Sequence, residues 1–265
     1  MIPKLIVVGT GIKSLDHITQ ETHLEISNAD IVFDIVSDPL TQLWLEQKHP
    51  SHITLNKLYS ESANRIDTYN AMVEEILKPL REGKSVCVVS YGHPGVFAYP
   101  MHESIRRAKT EGYPAKMLPG ISAEDCLFAD LLVDPGSSGC QSFEATDFLV
   151  FKRHFDTSSA IILWQIGVIG ISKYKKSLKV WNLNGIKILS EYLSEFYPPD
   201  HTAIVYEAGI YSASEPKIIT TALSELSHAN ISAISTLYIP PGSKKSPDLA
   251  LLAKLKIEME DLSDK

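Results

Sequence analysis

Residues 88–100, VVSYGHPGVFAYP, restrict the fold more than any other part of the chain. They continue an apolar run, residues 86–89, that has no polar alternation. Such a strand is buried on both faces, which requires a mostly parallel sheet covered by helices. The run ends in a loop with two glycines, a proline and a histidine, where backbone N–H and C=O groups turn toward a ligand. Residues 117–135, MLPGISAEDCLFADLLVDP, repeat the device: a Pro-Gly turn, then a helix with Ser122 as N-cap and Glu124 and Asp125 in its first turn. Loops at the C-terminal ends of strands form the rim of a small-molecule cleft in an open α/β sheet.

The first half of the chain keeps this alternation. Strands are expected at 5–8, 31–36, 86–89 and 115–118. Helices are expected at 19–27, at 39–47 behind a cap at Ser37 or Asp38, at 100–110 stopped near Gly112, and at 122–132. The longest helix, Arg65–Arg81, carries Ile66, Tyr69, Val73, Ile76 and Leu80 along one face and stops at Gly83. Residues 135–139, Pro-Gly-Ser-Ser-Gly, read as a linker, dividing the chain into 1–134 and 135–243 with a helical tail over 244–265. Beyond the linker, strands are expected at 148–151, 161–165, 203–208 and 235–239. Helices are expected near 186–195, 221–227 and 246–258, ahead of a frayed acidic end.

At 265 residues and 44% hydrophobic, the chain supports one large or two modest domains with a packed core. A net charge of −7 argues against binding driven by phosphate backbones, so no nucleic-acid partner is expected. Basic clusters at Arg106, Arg107 and Lys109, at Lys173, Lys175 and Lys176, and at Lys244 and Lys245 read as solvated surface. Cys87, Cys126 and Cys140 are too scattered for a disulfide framework or a zinc site, and the first two read as buried thiols. The chain opens on a strand, not a signal segment, and no run approaches the roughly 18 apolar residues of a membrane span. No membrane partner is expected, and a cytoplasmic setting is.

Gly9-Thr10-Gly11 after the first strand suggests a dinucleotide loop. Ser14 stands where the third glycine belongs, however, so a tight turn accounts for the pair. His93, within Gly-His-Pro-Gly, is as readily a satisfied loop residue as a ligand-facing one. No nucleophile elbow is present and the carboxylates form no metal-ligand pattern, so no metal is expected.

Over almost its whole length the chain resembles the tetrapyrrole-methylase-like, class III S-adenosylmethionine-dependent methyltransferases. Within that group YGHPGVF, MLPGISAEDCLFADL, residues 135–149 and STLYIPP are similar to the borosin peptide backbone α-N-methyltransferases, and SAEDCLFADLLVDPGSSGCQSFEATDFL is the most specific run. The resemblance implies a two-domain α/β fold, a mostly parallel sheet followed by a mixed-sheet domain with a C-terminal helix. It also implies S-adenosyl-L-methionine in the cleft between the domains, leaving as S-adenosyl-L-homocysteine. Donor contacts carry over to Tyr91, His93, Val96, Ser122 and Ala123, and then to Gln165, Ala208, Ser235 and Thr236. The helix start at Ser122 suits the donor's carboxylate. LYSESANRIDTYNAM, residues 58–72, matches the family's catalytic helix: Arg65 and Tyr69 fall at i and i+4, and Tyr59 on another active-site tyrosine. Asn56 stands where relatives have one more tyrosine.

On this resemblance Arg65, with Tyr69 or Tyr59, polarises an amide carbonyl, one phenol or a water it holds relays the proton, and Tyr91 aims the methyl group. A phenol titrates near ~10, and a neighbouring arginine is expected to lower that value. The tail resembles no apolar acceptor, so the split type is expected: a separate precursor peptide with a small binding domain and an acceptor segment. The resemblance also implies a homodimer, forming a heterotetramer with two precursors. The alternatives are a corrin- or porphyrin-precursor methylase and a non-catalytic donor-binding scaffold that recognises a peptide.

Overall fold

A computed structural model describes residues 2–60, 64–175, 179–180, 182–242 and 244–262. The chain divides into two compact units. The first runs to Leu131 and takes in the stretch around Lys173 and Tyr174 together with Ala208–Pro216; the rest forms the second.

In the first unit β1 (Leu5–Gly9), β2 (Ile31–Ile35), β3 (His52–Thr54), β4 (Val86–Ser90) and β5 (Ala115–Met117) form one parallel sheet in the order β3-β2-β4-β1-β5. Helices α1 (Gln20–Asn28), α2 (Pro39–Lys48), α3 (Arg65–Arg81), α4 (Tyr99–Thr110) and α5 (Ala123–Leu131) connect and follow the strands. Alternate side chains of β1 point to opposite faces. Leu5 and Val7 pack with Met72, Ile76 and Leu80 of α3, while Ile6 and Val8 pack with Ile26 of α1 and Leu45 of α2. Connections leave β1 and β4 in opposite directions, so the switch point of the sheet, where open α/β folds bind ligands, lies at their C-terminal ends.

The start of α3 differs from its expected face: Ile66 is 41% exposed, and burial begins with Thr68, Met72 and Val73. Of the two candidate caps for α2, Asp38 is the one used; its carboxylate accepts from Leu40 N and Thr41 N. Asp34, fully buried on β2, accepts from Val36 N and Thr54 Oγ1 and lies 2.6 Å from His52 Nε2. This cluster fastens β2 to β3 just before the turn that carries Tyr59.

In the second unit β6 (Cys140–Glu144), β7 (Ala160–Trp164), β8 (Thr202–Glu207), β9 (Lys217–Ala222) and β10 (Thr236–Ile239) form a mixed sheet in the order β6-β7-β10-β8-β9, with only the β6–β7 pair parallel. Helix α8 (Leu183–Leu193) buries Ile186, Leu189 and Leu193 among Ile161, Leu163, Val205 and Leu237.

Several expectations fail in this unit. The expected strand at 148–151 is instead α7 (Ala145–Val150), because the Glu144 side chain caps it by accepting from Asp147 N. Phe148 then packs on Phe143, Phe155 and Tyr192. The edge strand is the preceding β6. The expected helix at 221–227 is the end of β9 followed by a 3₁₀ turn, Leu223–His228, since Ile218, Ile219, Thr220 and Thr221 pair with β8. The expected linker is a helical turn, α6 (Pro135–Ser138), capped by Asp134. The tail helix shortens to α9 (Leu249–Leu255), and a 3₁₀ turn, Met259–Leu262, occupies the stretch expected to fray. No helix among the described residues is long and apolar enough to cross a membrane.

Candidate functional site

At the switch point the loops after β1 and β4 are zipped together. Gly11 N donates to Gly92 O (3.2 Å) and Gly92 N to Gly11 O (3.0 Å), both glycines having φ near +70° (72° and 68°). A Cβ on Gly9 would lie 2.2 Å from Gly92 O and 2.8 Å from Pro94 Cδ. The glycines of the first loop thus serve close approach of two backbones.

Past Gly92 the β4 loop fixes His93, whose Nδ1 accepts from Gly95 N (2.9 Å), while His102 donates to Gly95 O (2.8 Å). Tyr91 and Val96 remain 38% and 44% exposed. Burial first, then Cys126 and Asp38, pushes the Tyr91 phenol up to about 12. At the start of α5, Ser122 donates both its N–H and its hydroxyl to Asp125 Oδ2, at 2.7 Å each, and its hydroxyl accepts from Asp125 N. Those two donors are therefore engaged within the chain, and the Ala123 N–H is the next one along the helix start.

A second group of side chains gathers around the N-terminus of α3. Asn64 caps the helix by accepting from Ile66 N and bridges to Lys173, so Tyr174 lies beside Tyr59. Tyr59 and Tyr174 stack at 4.8 Å (28°), Tyr59 meets Tyr69 edge-on at 6.4 Å (88°), and Tyr69 stacks with Tyr99 at 6.1 Å (27°). Arg65 lies one turn before Tyr69 on α3, and its charge acts on the Tyr59 phenol. Arg107 of α4 ties the Tyr99 helix to α3 through Glu74 and Asn70.

The structure thus gathers Arg65, Tyr59 and Tyr69 in one row; among the described residues Tyr91 makes no ring contact with them. Glu61, Ser62 and Ala63 of the same segment lie outside the described residues. Asn56 is committed elsewhere, its amide donating to Val36 O. Arg65 does pull the Tyr59 phenol downward, as expected, but the net shift is upward. Burial, then Tyr69 and Tyr174, holds its pKa above the ordinary tyrosine range, and the opposing pull of Arg65 is the smallest of these influences.

In the second unit Gln165 leaves β7 in the left-handed region (φ 61°, ψ 35°), a backbone state that non-glycine residues seldom adopt outside constrained sites. Its neighbour Ile166 donates to Ser235 O (3.2 Å). Ser235 is fully buried; its hydroxyl donates to Glu207 and accepts from Ser232 N. Glu207 also accepts from Ser232 Oγ (2.7 Å) and Lys217 Nζ (3.0 Å). The Ser235 hydroxyl is therefore engaged within the chain, and Thr236 beside it is nearly buried. Tyr99, Tyr174 and Glu207 are the members that sequence reasoning missed. Only Tyr99, inside YGHPGVFAYP, had a signal, as part of a loop already marked.

In the first unit an exposed ring and apolar side chain at Tyr91 and Val96, with a helix start, are groups that fit a nucleoside sulfonium such as S-adenosylmethionine. Among the described residues no group of three or more His, Cys, Asp or Glu is arranged to hold a metal ion.

Comparison with known proteins agrees with the fold. The family described as Tetrapyrrole (Corrin/Porphyrin) Methylases matches residues 4–227. A methyltransferase/ribosomally synthesized cyclic peptide gymnopeptides precursor from Gymnopus fusipes is 40% identical over 261 residues, covering 97% of this chain and 62% of its own length. A methyltransferase/ribosomally synthesized type I borosin cyclic peptide precursor from Coprinopsis marcescibilis is 40% identical over 263 residues, covering 98% and 66%. The chain therefore spans a little under two thirds of these relatives' length. A uroporphyrin-III-C-methyltransferase structure from Thermus thermophilus superposes with a TM-score of 0.65 at 16% identity, covering 97% of this chain and 98% of that one, which is a likeness of fold alone.

Proposed function

The chain belongs to the tetrapyrrole (corrin/porphyrin) methylase family, and on that premise we propose that it uses S-adenosyl-L-methionine to methylate, iteratively, backbone amide nitrogens of a separate precursor peptide. The observation that carries this reading is the row Tyr174–Tyr59–Tyr69–Tyr99 with Arg65 beside it. The relatives, each named as a methyltransferase joined to a cyclic peptide precursor, support it.

An amide nitrogen is a poor nucleophile because its lone pair is delocalised into the carbonyl. The donor, when bound, supplies an electrophilic methyl carbon on sulfur. Arg65 and the Tyr59 phenol stabilise negative charge on the amide oxygen, which makes the N–H more acidic. Loss of that proton leaves an imidate-like anion whose nitrogen attacks the methyl carbon as the sulfur leaves with the bonding pair. Because burial keeps Tyr59 protonated at neutral pH, it acts as a hydrogen-bond donor; Tyr69, or a water it holds, relays the amide proton. Tyr91, His93, Val96, Ser122, Ala123, Gln165, Ala208, Ser235 and Thr236 hold the donor, Tyr91 aiming its methyl group. The working form is a homodimer that engages two precursors.

The test mixes the purified chain with donor and a precursor carrying a small helical domain and an apolar acceptor segment, and follows intact mass. Single-methyl increments that fragmentation assigns to backbone nitrogens are expected, and Arg65→Ala or Tyr69→Phe should abolish them while leaving S-adenosylhomocysteine binding measurable. A methylated tetrapyrrole in place of a methylated peptide, or peptide binding without mass change, overturns the proposal. Light scattering with and without precursor checks the assembly.

A further inference from the structure

The loop after β1 and helix α5 border a cavity of about 380 Å³ whose lining includes Ala208, placed above among the donor contacts. Its walls are fastened to one another. Ser14 N donates to Ile210 O (2.8 Å) and the Ser212 hydroxyl donates to the Asp16 carboxylate, so the segment bearing Ala208 and Gly209 is tied to the β1 loop. Within that loop His17 Nδ1 accepts from Ile12 N (3.3 Å) and Lys13 N (3.2 Å). A Cβ on Gly11 would lie 2.1 Å from His17 Cβ, so the loop closes tightly around this ring.

With Nδ1 used as an acceptor, the neutral imidazole carries its proton on Nε2. Burial, then the Lys13 charge, lowers the His17 pKa, which favours that neutral form. Among the described residues neither His17 Nε2 nor the Lys13 ammonium has a hydrogen-bond or ion-pair partner. Across the cavity Asp125 spends Oδ2 on Ser122, and Asp130 adds a second carboxylate to the lining. One cation and two carboxylates disfavour a simple anion and suit a ligand that brings a cation of its own. The volume is at the small end of ligand sites, with room for a group of amino-acid size.

We propose that this cavity is a subsite for an α-amino-acid head group, its ammonium toward Asp125 and its carboxylate or carbonyl oxygen toward Lys13 and His17. Two sources share that chemistry: the amino-acid end of the methyl donor, which rests on the reading above, and the N-terminal residue of a peptide.

Calorimetry with L-methionine, N-acetyl-L-methionine, S-adenosylhomocysteine and a free-amine tripeptide beginning with methionine, against the wild type and Lys13→Met, separates them. Lys13 is the residue to change, because His17 also holds its own loop. Both N-acetylation and Lys13→Met should weaken L-methionine binding about tenfold or more, the scale of one hydrogen bond to a charged group. If the donor is the source, L-methionine competes with S-adenosylhomocysteine and Lys13→Met weakens the latter to a like extent. If a peptide is the source, the tripeptide weakens and S-adenosylhomocysteine does not. Affinities indifferent to both Lys13 and the ligand's amino group overturn the subsite. A wild-type chain that fails to bind S-adenosylhomocysteine overturns the donor reading instead, and L-methionine and the tripeptide then decide the subsite by themselves.

Discussion

Replacing Tyr59 by phenylalanine takes away one hydroxyl and leaves the ring. The ring contacts stay, Tyr174 stacked at 4.8 Å and Tyr69 edge-on at 6.4 Å, so the row keeps its packing. The hydrogen bond between the Tyr59 and Tyr69 side chains is lost. Fold stability should change by no more than a single hydrogen bond's worth, about 0.5–1.5 kcal/mol. The effect on the reaction is larger. A donor aimed at a developing oxyanion contributes about 2.7–4 kcal/mol, or roughly 10²–10³ in turnover. Burial of the phenol favours the upper part of that range, because a desolvated donor acts through a lower dielectric. Arg65 and Tyr69 remain beside the vacated position and set the lower bound. Single-turnover methylation at saturating donor, followed by intact mass, gives the rate; calorimetry with S-adenosylhomocysteine and a thermal melt give the controls. Turnover should fall about 10²–10³-fold with donor affinity and melting temperature nearly unchanged. A variant keeping more than about a tenth of the rate refutes the assignment, since that leaves Tyr59 under ~1.4 kcal/mol of transition-state stabilisation.

The pH profile gives an independent check. With the Tyr59 pKa held above the ordinary ~10, its ionisation should not depress kcat/KM between about pH 8 and 10; a fall in that window that disappears in Tyr59→Phe contradicts this. Gly9→Ala drives a methyl group into the Gly92 carbonyl, backbone that cannot swing aside. Overpacking of this kind costs about 1–3 kcal/mol, and denaturant unfolding should register it together with weakened S-adenosylhomocysteine binding. For Glu207, burial alone would raise the pKa, but the Ser235, Ser232 and Lys217 bonds outweigh it and the net shift is downward. A carboxyl depressed in the folded state stabilises above its unfolded pKa of about 4.3, and that contribution is lost as pH falls through the lower folded value. The stability advantage of wild type over Glu207→Gln should therefore be present at pH 7 and shrink below about pH 4; an advantage independent of pH would contradict it.

What could be read from the sequence follows how local the cause is. β1 and residues 86–89 of β4 are apolar because both faces are covered, so their burial is written in consecutive residues. Cys140–Glu144 is an edge strand of half-exposed and polar residues and leaves no such run. The apolar quartet at 148–151 has strand composition, and it takes a single capping contact from Glu144 to turn it helical. The same divide separates the parts of the site. Arg65 and Tyr69 are one turn apart on α3, a relation that spacing expresses. Tyr174 reaches Tyr59 only through the Asn64–Lys173 bridge, and Tyr99 reaches Tyr69 through ion pairs between α3 and α4, so no interval in the sequence encodes either contact.

The order of events at the amide follows from the same row. A single guanidinium competes there with removal of the phenol from water and with two neighbouring phenols, and it loses: Tyr59 is held protonated. The Tyr59 phenol is thus kept in its hydrogen-bond-donating form. A strong base is therefore not what this arrangement offers. Donors are, and donors change what a base must do: once charge accumulates on the amide oxygen, the N–H proton becomes more acidic, and its departure leaves on nitrogen the pair that attacks. On this reasoning proton transfer trails the polarisation of the carbonyl. Arg65, a cation at every working pH, then matters more than whichever phenol or water finally takes the proton.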